Sequence, residues 1–233
     1  MTPDSLALAH HFPQSLEGAA ALQQRLAAMV RERPLPDRPA RVAGADLSYD
    51  AARGLLFAAV VVLDGRDGRL LETGRHVGPV RVPYVPGFLS FREGPAILAA
   101  LAQLSAPPDV LLCDGQGRAH PRRFGLACHL GVATGLPTVG VAKSRLCGTF
   151  RPPGRRRGCR TRLVDRGEIV GAVLRTRDGV RPLFVSVGHL VTLDDACRLV
   201  LRWARGLRLP EPVRLADREV ARMRRASGPA TAG

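Results

Sequence analysis

The segment that most restricts the fold of this chain runs from residue 109 to residue 131 and reads DVLLCDGQGRAHPRRFGLACHLG. It opens with a continuous apolar run from Val110 to Cys113, between two prolines and a glycine-rich stretch. Such a run is typical of a fully buried central strand. Asp114 stands where the run ends, and a carboxylate at the carboxyl end of such a strand faces the crevice in which open α/β sheets bind ligands. Taken alone, Asp114 fits a turn former or a helix cap equally well.

The residues after Asp114 suit close contact with a ligand. Gly115 and Gly117 have no side chains, so the backbone can approach a bound molecule there. His120 opens the sequence HPRR, and an apolar helix is predicted from Phe124 onward. His120 is therefore a candidate functional residue; the alternative is a loop histidine that is hydrogen-bonded to the backbone.

The excess of positive charge points to a polyanionic partner. The chain has 35 basic and 20 acidic side chains, which leaves a formal net charge of +15. This balance predicts binding to nucleic acid. A membrane surface is the weaker alternative, because the sequence contains no long basic amphipathic helix. Lys143 is the one lysine among these cations, and it differs from arginine as a compact, titratable point charge.

Length and cysteine content indicate a single domain in a reducing compartment. We expect one domain over residues 1–233, with a loose N-terminus at 1–13, a core at about 15–223 and a disordered tail at 224–233. The five cysteines are odd in number and form no CxxC pair, so neither a zinc site nor a disulfide framework is expected. The chain shows no signal-peptide pattern and no membrane-spanning apolar stretch, which predicts a cytoplasmic protein without a membrane partner.

The apolar periodicity predicts three strands, a helix, the buried strand described above, and then further helices and strands. This is the order of a ribonuclease H-like domain, so the predicted fold class is α/β with a mixed central sheet flanked by helices. In that architecture the first strand lies beside the central strand. The predicted strands cover residues 41–49, 55–64, 69–77, 110–113, 137–143, 162–176 (a hairpin turning at Arg166-Gly167) and 182–187; the predicted helices follow Ser15 and Thr192, begin near Glu93, and cover 124–134 and 209–223.

A short proline-bracketed segment precedes the helix near Glu93. Pro83 and Pro86 flank Tyr84 and Val85. Each proline restricts its own φ and favours extended geometry in the residue before it. The segment is therefore predicted to be stiff and projecting, with one aromatic ring; the alternative for Tyr84 is a packed surface aromatic.

Acidic residues from three predicted elements come together in such a fold. Asp46 on the first strand and Asp114 after the central strand would share one crevice, and Glu93 would enter from the neighbouring helix. Crowded carboxylates stay ionised only with a cation between them, and magnesium prefers such hard oxygen ligands. A site of this kind hydrolyses phosphodiesters. For Glu93 alone, the alternative is a first-turn carboxylate that is stabilised by the helix dipole.

The segment at 145–160 is rich in arginine, glycine and proline and has no apolar period. We predict a mobile basic loop. Its arginines are either solvated charges or contacts to a phosphate backbone.

Several segments together resemble the endonuclease V family, the deoxyinosine-directed repair nucleases. The resemblance covers roughly residues 15–220 and is densest from Val82 to Gly148. PYVPGFLSFRE and HPRRFGLA are its most specific parts. The matching segments are AGADLSY, VPYVPGFLSFREGPA, LLCDGQGRAHPRRFGLACHLG, PTVGVAKSRLCG, SVGH and LPEPVRLAD.

The resemblance implies a role for each matching position. Asp46 and Asp114 would be the principal Mg²⁺ ligands, with Mn²⁺ as a substitute, and Glu93 would complete the acidic centre. Asp217 matches the family's fourth active-site position. The resemblance also implies that Lys143 and His120 lie near the scissile phosphate as catalytic residues. It implies that Pro83-Tyr84-Val85-Pro86 is a wedge that separates the strands. The implied lesion pocket is formed by backbone near Gly87, Gly115, Gln116 and Gly117.

The resemblance also implies an activity. The family hydrolyses the second phosphodiester 3′ of deoxyinosine and leaves a nick with a 3′-hydroxyl and a 5′-phosphate. The expected partner is double- or single-stranded DNA containing deoxyinosine, bound by a monomer. Two alternatives stay open, an endoribonuclease specific for inosine and a basic module that binds nucleic acid without catalysis. His189 is followed by Leu190 where relatives commonly have arginine, so its role is left open.

Overall fold

The structure, a computed structural model, describes residues 15–228. Within this range the chain forms one mixed sheet and a set of helices packed on its two faces. The strands are β1 Arg41–Asp50, β2 Leu55–Asp64, β3 Leu70–Pro79, β4 Val110–Cys113, β5 Thr138–Ala142, β6 Arg160–Asp165, β7 Glu168–Leu174 and β8 Leu183–His189. The helices are α1 Leu16–Ala27, α2 Leu89–Leu101, α3 Leu126–Thr134, α4 Leu193–Trp203 and α5 Glu211–Ala226.

The strand order is β3-β2-β1-β4-β5-β8-β7-β6. The first strand and the central strand are therefore neighbours, as predicted, and they run parallel with Ala45 opposite Cys113. The Asp114 N–H donates to the Ala45 carbonyl at 3.1 Å. Asp46 follows Ala45 within β1 and Asp114 follows Cys113 at the end of β4, so both residues lie at the level of the carboxyl end of β4.

Local sequence explains most element boundaries. The Ser15 hydroxyl accepts a hydrogen bond from the Gly18 N–H at 3.0 Å, and the Thr192 hydroxyl accepts one from the Asp195 N–H at 3.2 Å. These are the N-caps predicted for α1 and α4. The β6–β7 hairpin turns at Arg166 and Gly167, which both have positive φ, as a two-residue hairpin turn requires.

The largest differences from the predicted boundaries are at the start of α2 and at the end of α5. Helix α2 begins at Leu89, so Glu93 lies in its second turn and not in its first. The alternative in which the helix dipole explains Glu93 is therefore wrong. Helix α5 continues to Ala226, so the predicted disordered tail is wrong for residues 224–226. The loose N-terminus predicted at 1–13 and the end of the tail at 229–233 lie outside the described residues.

The core has two main layers. Helices α4 and α5 pack on one face of the sheet, around Trp203 and Val213, and helices α2 and α3 pack on the other, around Ile97 and Leu130. Helix α1 adds a smaller cluster that includes Phe88 and Phe124. Through this cluster the N-terminal helix supports the segment that precedes α2.

All five cysteines are free thiols, as the prediction of no disulfide framework requires. Across residues 15–228, no helix has the length and apolar character needed to span a bilayer.

Candidate active site

Asp46 and Asp114 form the centre of the acidic site. The pKa of Asp46 is raised to about 8, mainly by burial and next by the negative charge of Asp114, while the hydrogen bond from the Leu47 N–H partly opposes the shift. That N–H donates to Asp46 Oδ1 at 2.8 Å. The predicted pairing of these two carboxylates in one crevice is therefore present in the fold.

Glu93 reaches the same site from α2. Burial raises the pKa of Glu93 to about 7; the positive charge of Arg92 lowers it and the negative charge of Asp114 raises it. Asp217, an exposed residue on α5, also raises the pKa of Asp46. Four predicted acidic positions from four elements thus share one electrostatic environment.

The chemistry of these side chains fits a hard divalent cation. Buried carboxylates that repel one another are stabilised by such an ion, which prefers oxygen ligands. Among residues 15–228, however, no three His, Cys, Asp or Glu side chains are arranged as a ready ligand cluster.

Lys143, directly after β5, supplies a positive charge at this site. Its ammonium donates to Asp114 Oδ2. Burial disfavours the charged ammonium, but the hydrogen bond and charge of Asp114 outweigh this and raise the pKa of Lys143. Asp46 and Asp217 contribute in the same direction.

Arg208, which was not predicted as a site residue, supports the strand end that carries Lys143. Its Nη2 donates to the Lys143 carbonyl at 2.9 Å and to the Pro182 carbonyl at 3.2 Å, while its Nε donates to the Arg181 carbonyl at 3.0 Å. No sequence pattern distinguishes this arginine from the many others in the chain. Its role depends on two loops that meet only in the folded protein.

His120 is buried and has hydrogen-bond contacts at both ring nitrogens. Its Nε2 lies 3.1 Å from the Gly87 carbonyl, and its Nδ1 accepts from the Arg122 N–H at 3.2 Å. Burial, together with the nearby Arg122 charge, lowers the pKa of His120 to about 4. The ring is therefore neutral at pH 7. These contacts match the alternative of a histidine bonded to the backbone, and a place beside the scissile phosphate stays a prediction.

The proline-bracketed segment projects from the surface, as predicted. The Tyr84 side chain is 64% exposed, and Pro83 and Pro86 are exposed beside it. The Arg92 guanidinium lies 5.9 Å from the centre of the Tyr84 ring and 4.3 Å from the centre of the Tyr49 ring.

Val85 is the exception within this segment. It is partly buried and packs against the cluster formed by α1. One residue of the predicted wedge thus anchors the segment, while Tyr84 stays accessible.

The glycines after Asp114 serve packing as well as access. A Cβ on Gly117 would lie 2.1 Å from the Val187 carbonyl, so only glycine fits against β8. The Gly117 N–H donates to the Ser186 hydroxyl at 2.9 Å, and the Gln116 amide donates to the Ser144 carbonyl at 2.9 Å. Gly115 is partly exposed. The loop that is predicted to line a lesion pocket is therefore held firmly by its neighbours.

His189 has a structural contact in the fold. Its Nδ1 accepts from the Arg31 N–H at 3.2 Å, and burial lowers the pKa of His189. The ring ties the segment after α1 to the end of β8.

The arginine-rich loop is partly tied to the body of the protein. Arg157 donates from Nη2 to the Leu201 carbonyl at 2.6 Å and from its backbone N–H to Asp178 Oδ1 at 2.5 Å. Arg155 and Arg156 are exposed. Exposed guanidinium groups of this kind are available to a polyanion.

Comparison with known proteins identifies the family. Residues 24–218 match the family model for endonuclease V. An endonuclease V from Nocardia farcinica is 54% identical over 207 residues, which cover 88% of this chain and 91% of that protein. The crystal structure of the Streptomyces avermitilis endonuclease V is similar with a TM-score of 0.88 at 46% identity, covering 93% of this chain and 96% of that chain.

A more distant structure shows a likeness of fold alone. Ciona intestinalis endonuclease V, solved with bound DNA, has a TM-score of 0.80 at 24% identity and covers 93% of this chain and 100% of that chain. The solved relatives have a ribonuclease H-like fold, as predicted here. The alternative of a module without catalysis does not fit these likenesses. The chain belongs to the endonuclease V family, and it is a nuclease.

Proposed function

We propose that this protein is a magnesium-dependent DNA endonuclease that recognises deoxyinosine. It hydrolyses the second phosphodiester 3′ of the lesion and leaves a 3′-hydroxyl and a 5′-phosphate. The observation that carries the proposal is the grouping of Asp46, Glu93 and Asp114, from separate segments of the chain, near the carboxyl end of β4 and beside Lys143. Family membership adds independent support.

Asp46, Asp114 and Glu93 would hold the metal ion. When bound, a divalent cation lowers the pKa of an attacking water and stabilises negative charge on the phosphate oxygens. The pKa values of Asp46 and Glu93 are raised because burial disfavours their charged forms. A bound cation would stabilise those charged forms. Lys143 carries positive charge beside the same carboxylates and would stabilise the developing charge on the scissile phosphate.

Tyr84 would separate the strands at the lesion. Its exposed ring lies on a segment stiffened by Pro83 and Pro86, and the Arg92 guanidinium is 5.9 Å from the centre of the ring. Unstacking a base costs a few kcal/mol, and less where the base is already mispaired, so insertion of a ring favours damaged sites. The base would then enter a pocket of backbone formed near Gly87 and residues 115–117.

The chemistry of the expected partner agrees with the charge of the chain. A net charge of +15 favours a polyanion, and the exposed arginines of the loop at 145–160 supply part of it. The Ciona intestinalis protein was solved with a 24-mer DNA that contains an inosine followed by a ribo-adenosine. Inosine in DNA is the proposed substrate here, and inosine in RNA is the alternative that the experiment must separate.

A cleavage assay on labelled oligonucleotides tests the proposal. The substrates are duplex and single-stranded DNA with one inosine, the same DNA with adenosine, and the matched RNA, each with Mg²⁺, Mn²⁺ or a chelator. We expect a nick in inosine DNA at the second phosphodiester 3′ of the lesion, and none with chelator. Faster cleavage of inosine RNA than of inosine DNA would favour the alternative. Equal cleavage of inosine and adenosine substrates would refute lesion recognition.

A further inference from the structure

The backbone carbonyl of Gly87 accepts hydrogen bonds from three different side chains. Gln23 donates from Nε2 at 3.1 Å and Arg122 from Nη2 at 2.6 Å, and His120 Nε2 lies at 3.1 Å. Gln23 belongs to α1, and the other two side chains follow the central strand. Three side chains from two distant segments of the chain thus meet at one peptide group. We call this arrangement the Gly87 clamp (Gln23, His120, Arg122 and the Gly87 carbonyl).

Gln23 also joins the members of the clamp to one another. Its Oε1 accepts from Arg122 Nε at 2.5 Å, and its Nε2 lies 3.4 Å from the Phe124 carbonyl. The residue has no exposed surface, although its neighbours on the buried face of α1 are apolar, such as Leu22 and Leu26. Burying an amide is unfavourable unless it is hydrogen-bonded, so an apolar residue would suit packing alone. The hydrogen bonds of Gln23 to Gly87 and Arg122, rather than packing, therefore account for an amide at this position.

Gly87 lies in the turn that joins the wedge to helix α2, and its conformation sets the direction in which the chain continues. The Phe88 N–H donates to the Val85 carbonyl at 3.0 Å, Pro86 is second in this turn, and Gly87 is third with φ +80°. This is the arrangement of a type II turn. The φ of +80° is one that residues with a side chain rarely adopt, so the turn favours glycine here; a Cβ would also lie 2.8 Å from Arg122 Nη2, which would have to shift.

The turn connects two parts of the proposed active site. Tyr84 lies directly before it, and α2, which carries Arg92 and Glu93, begins two residues after Gly87. A change in the orientation of the Gly87 peptide would therefore move the wedge ring relative to the acidic site.

We propose that Gln23 is a positioning residue for lesion recognition. Through the Gly87 clamp it holds the turn, and with it Tyr84 and the backbone of the lesion pocket, in the binding geometry before DNA arrives. Preorganisation of this kind reduces the ordering that binding must impose. The inference rests on the proposed function, because it assigns to α1 a part in distinguishing inosine from normal bases. Gln23 touches no reacting atom in this scheme.

Two substitutions separate this role from simple packing. Gln23→Glu keeps an acceptor for Arg122 and removes the amide donor to Gly87, while Gln23→Met removes both polar atoms at nearly constant volume. The matched controls are Gln24→Glu and Gln24→Met, because Gln24 is the exposed next residue of the same helix. Each variant is assayed for KM and kcat on an inosine duplex, for the inosine-to-adenosine cleavage ratio, and for Tm. Hydrogen exchange of the peptide at 82–92 is measured without DNA.

We expect both Gln23 variants to raise KM for inosine DNA and to lower the cleavage ratio, each about 3- to 10-fold, the range expected for one lost hydrogen bond. The kcat for inosine DNA should change by less than about twofold. Hydrogen exchange at 82–92 should become faster. The Gln24 variants should match the parent in all readouts, and Gln23→Glu should keep its Tm within a few degrees because its carboxylate still pairs with Arg122.

The outcomes distinguish the two proposals. If the parent protein cleaves inosine and adenosine DNA equally, the proposed function fails and this inference fails with it. If the parent discriminates and both folded Gln23 variants discriminate as well, the inference alone is refuted. If Gln23→Glu loses Tm by more than about 10 °C and cleaves both substrates less in the same proportion, Gln23 is a folding residue only, and the inference is also refuted.

Discussion

At the level of single residues, the acidic site holds carboxyl groups in surroundings that disfavour their ionised form. Burial is the main reason that the pKa of Asp46 rises to about 8 and that of Glu93 to about 7, and the charge of Asp114 adds to both shifts. Residues arranged for chemistry in this way reduce the stability of the protein without its ligand. The reduction depends on pH, so it can be measured apart from activity.

The stability of the metal-free protein should fall as the pH rises from 4 to 8. A carboxyl with a pKa near 3.8 in the unfolded chain and about 8 in the folded chain binds its proton more tightly when folded. Its contribution is complete below about pH 4 and is lost as the pH approaches 8. Asp46→Asn should therefore raise Tm at pH 8 by on the order of 5 °C and change it little at pH 4.

Thermal melts in the presence of a chelator test this expectation. The control is Asp37→Asn, because Asp37 is an exposed carboxylate outside the site. A Tm at pH 8 that is identical in the parent and in Asp46→Asn would contradict the electrostatic account of the site.

Loss of either central carboxylate should abolish nicking while DNA binding persists. We expect Asp46→Asn and Asp114→Asn to reduce the cleavage rate by at least about 10²-fold, the scale for loss of one group that stabilises transition-state charge. Affinity for DNA should stay the same or rise, because neither variant adds negative charge to the surface that faces the phosphates. Nicking assays and titrations of labelled duplex measure the two effects. Full activity in either variant would remove the argument for a metal site.

At the scale of elements, the segment before α2 and the packing of α5 determine how the site is presented. Tyr84 projects on a segment that Val85 anchors to the α1 cluster, and Asp217 reaches the site because α5 packs across the sheet. Both arrangements depend on contacts between elements rather than within them.

Removal of the wedge ring should reduce selectivity more than catalysis. Tyr84→Ala is expected to lower the ratio of inosine to adenosine cleavage by about tenfold, since stacking of an aromatic side chain on a base is worth about 1–3 kcal/mol. Tyr84→Phe keeps the ring and should behave like the parent. Competition assays with the two duplexes in one reaction measure the ratio. Unchanged selectivity in Tyr84→Ala would mean that the ring is surface packing only.

An ion pair between α5 and β3 should contribute to stability at neutral pH. Glu219 accepts hydrogen bonds from Arg222 and from Arg75, and these lower the pKa of Glu219 to about 2. The contribution is present above about pH 4.5 and is lost as the pH falls toward 2. Glu219→Gln should lower the free energy of unfolding by about 1 kcal/mol at pH 7, a modest value because partly exposed ion pairs are screened by solvent. At pH 2 the loss should be much smaller, because Glu219 is then protonated in a large fraction of the parent molecules as well.

Denaturant unfolding at the two pH values checks this prediction. A double-mutant cycle with Arg75→Gln isolates the contact between the two elements. An equal loss of stability at both pH values would show that the charge of Glu219 is not the cause.

At the scale of the whole molecule, the net charge of +15 should govern binding to undamaged DNA. Affinity for a normal duplex should fall steeply and linearly on a plot of log affinity against log salt, because each neutralised phosphate releases counterions. Replacing the exposed Arg155 and Arg156 with alanine should reduce the slope by about 2 if both contact phosphates. Fluorescence anisotropy at several KCl concentrations measures it. An affinity that does not depend on salt would contradict the role given to the arginines.

Local sequence was sufficient for the central strand and for the turns. The apolar run Val110–Cys113 is too short for a buried helix and is flanked by prolines and glycines, and in the structure it is an internal strand that Asp114 follows. The start of α2 was predicted four residues too late, because the cue used was the carboxylate of Glu93. The observed start follows the turn at Gly87, and no side chain caps it.

The α/β class, most elements and the acidic positions Asp46 and Asp114 are predictable from local sequence, because burial periodicity and turn chemistry act within a few residues. The contacts of Arg208 with Lys143 and of Gln23 with Gly87 are visible only in the folded protein. These contacts join residues 65 and 64 positions apart. No local pattern encodes them, because a hydrogen bond to a distant carbonyl depends on strand order and helix packing, which form only when the whole chain has folded.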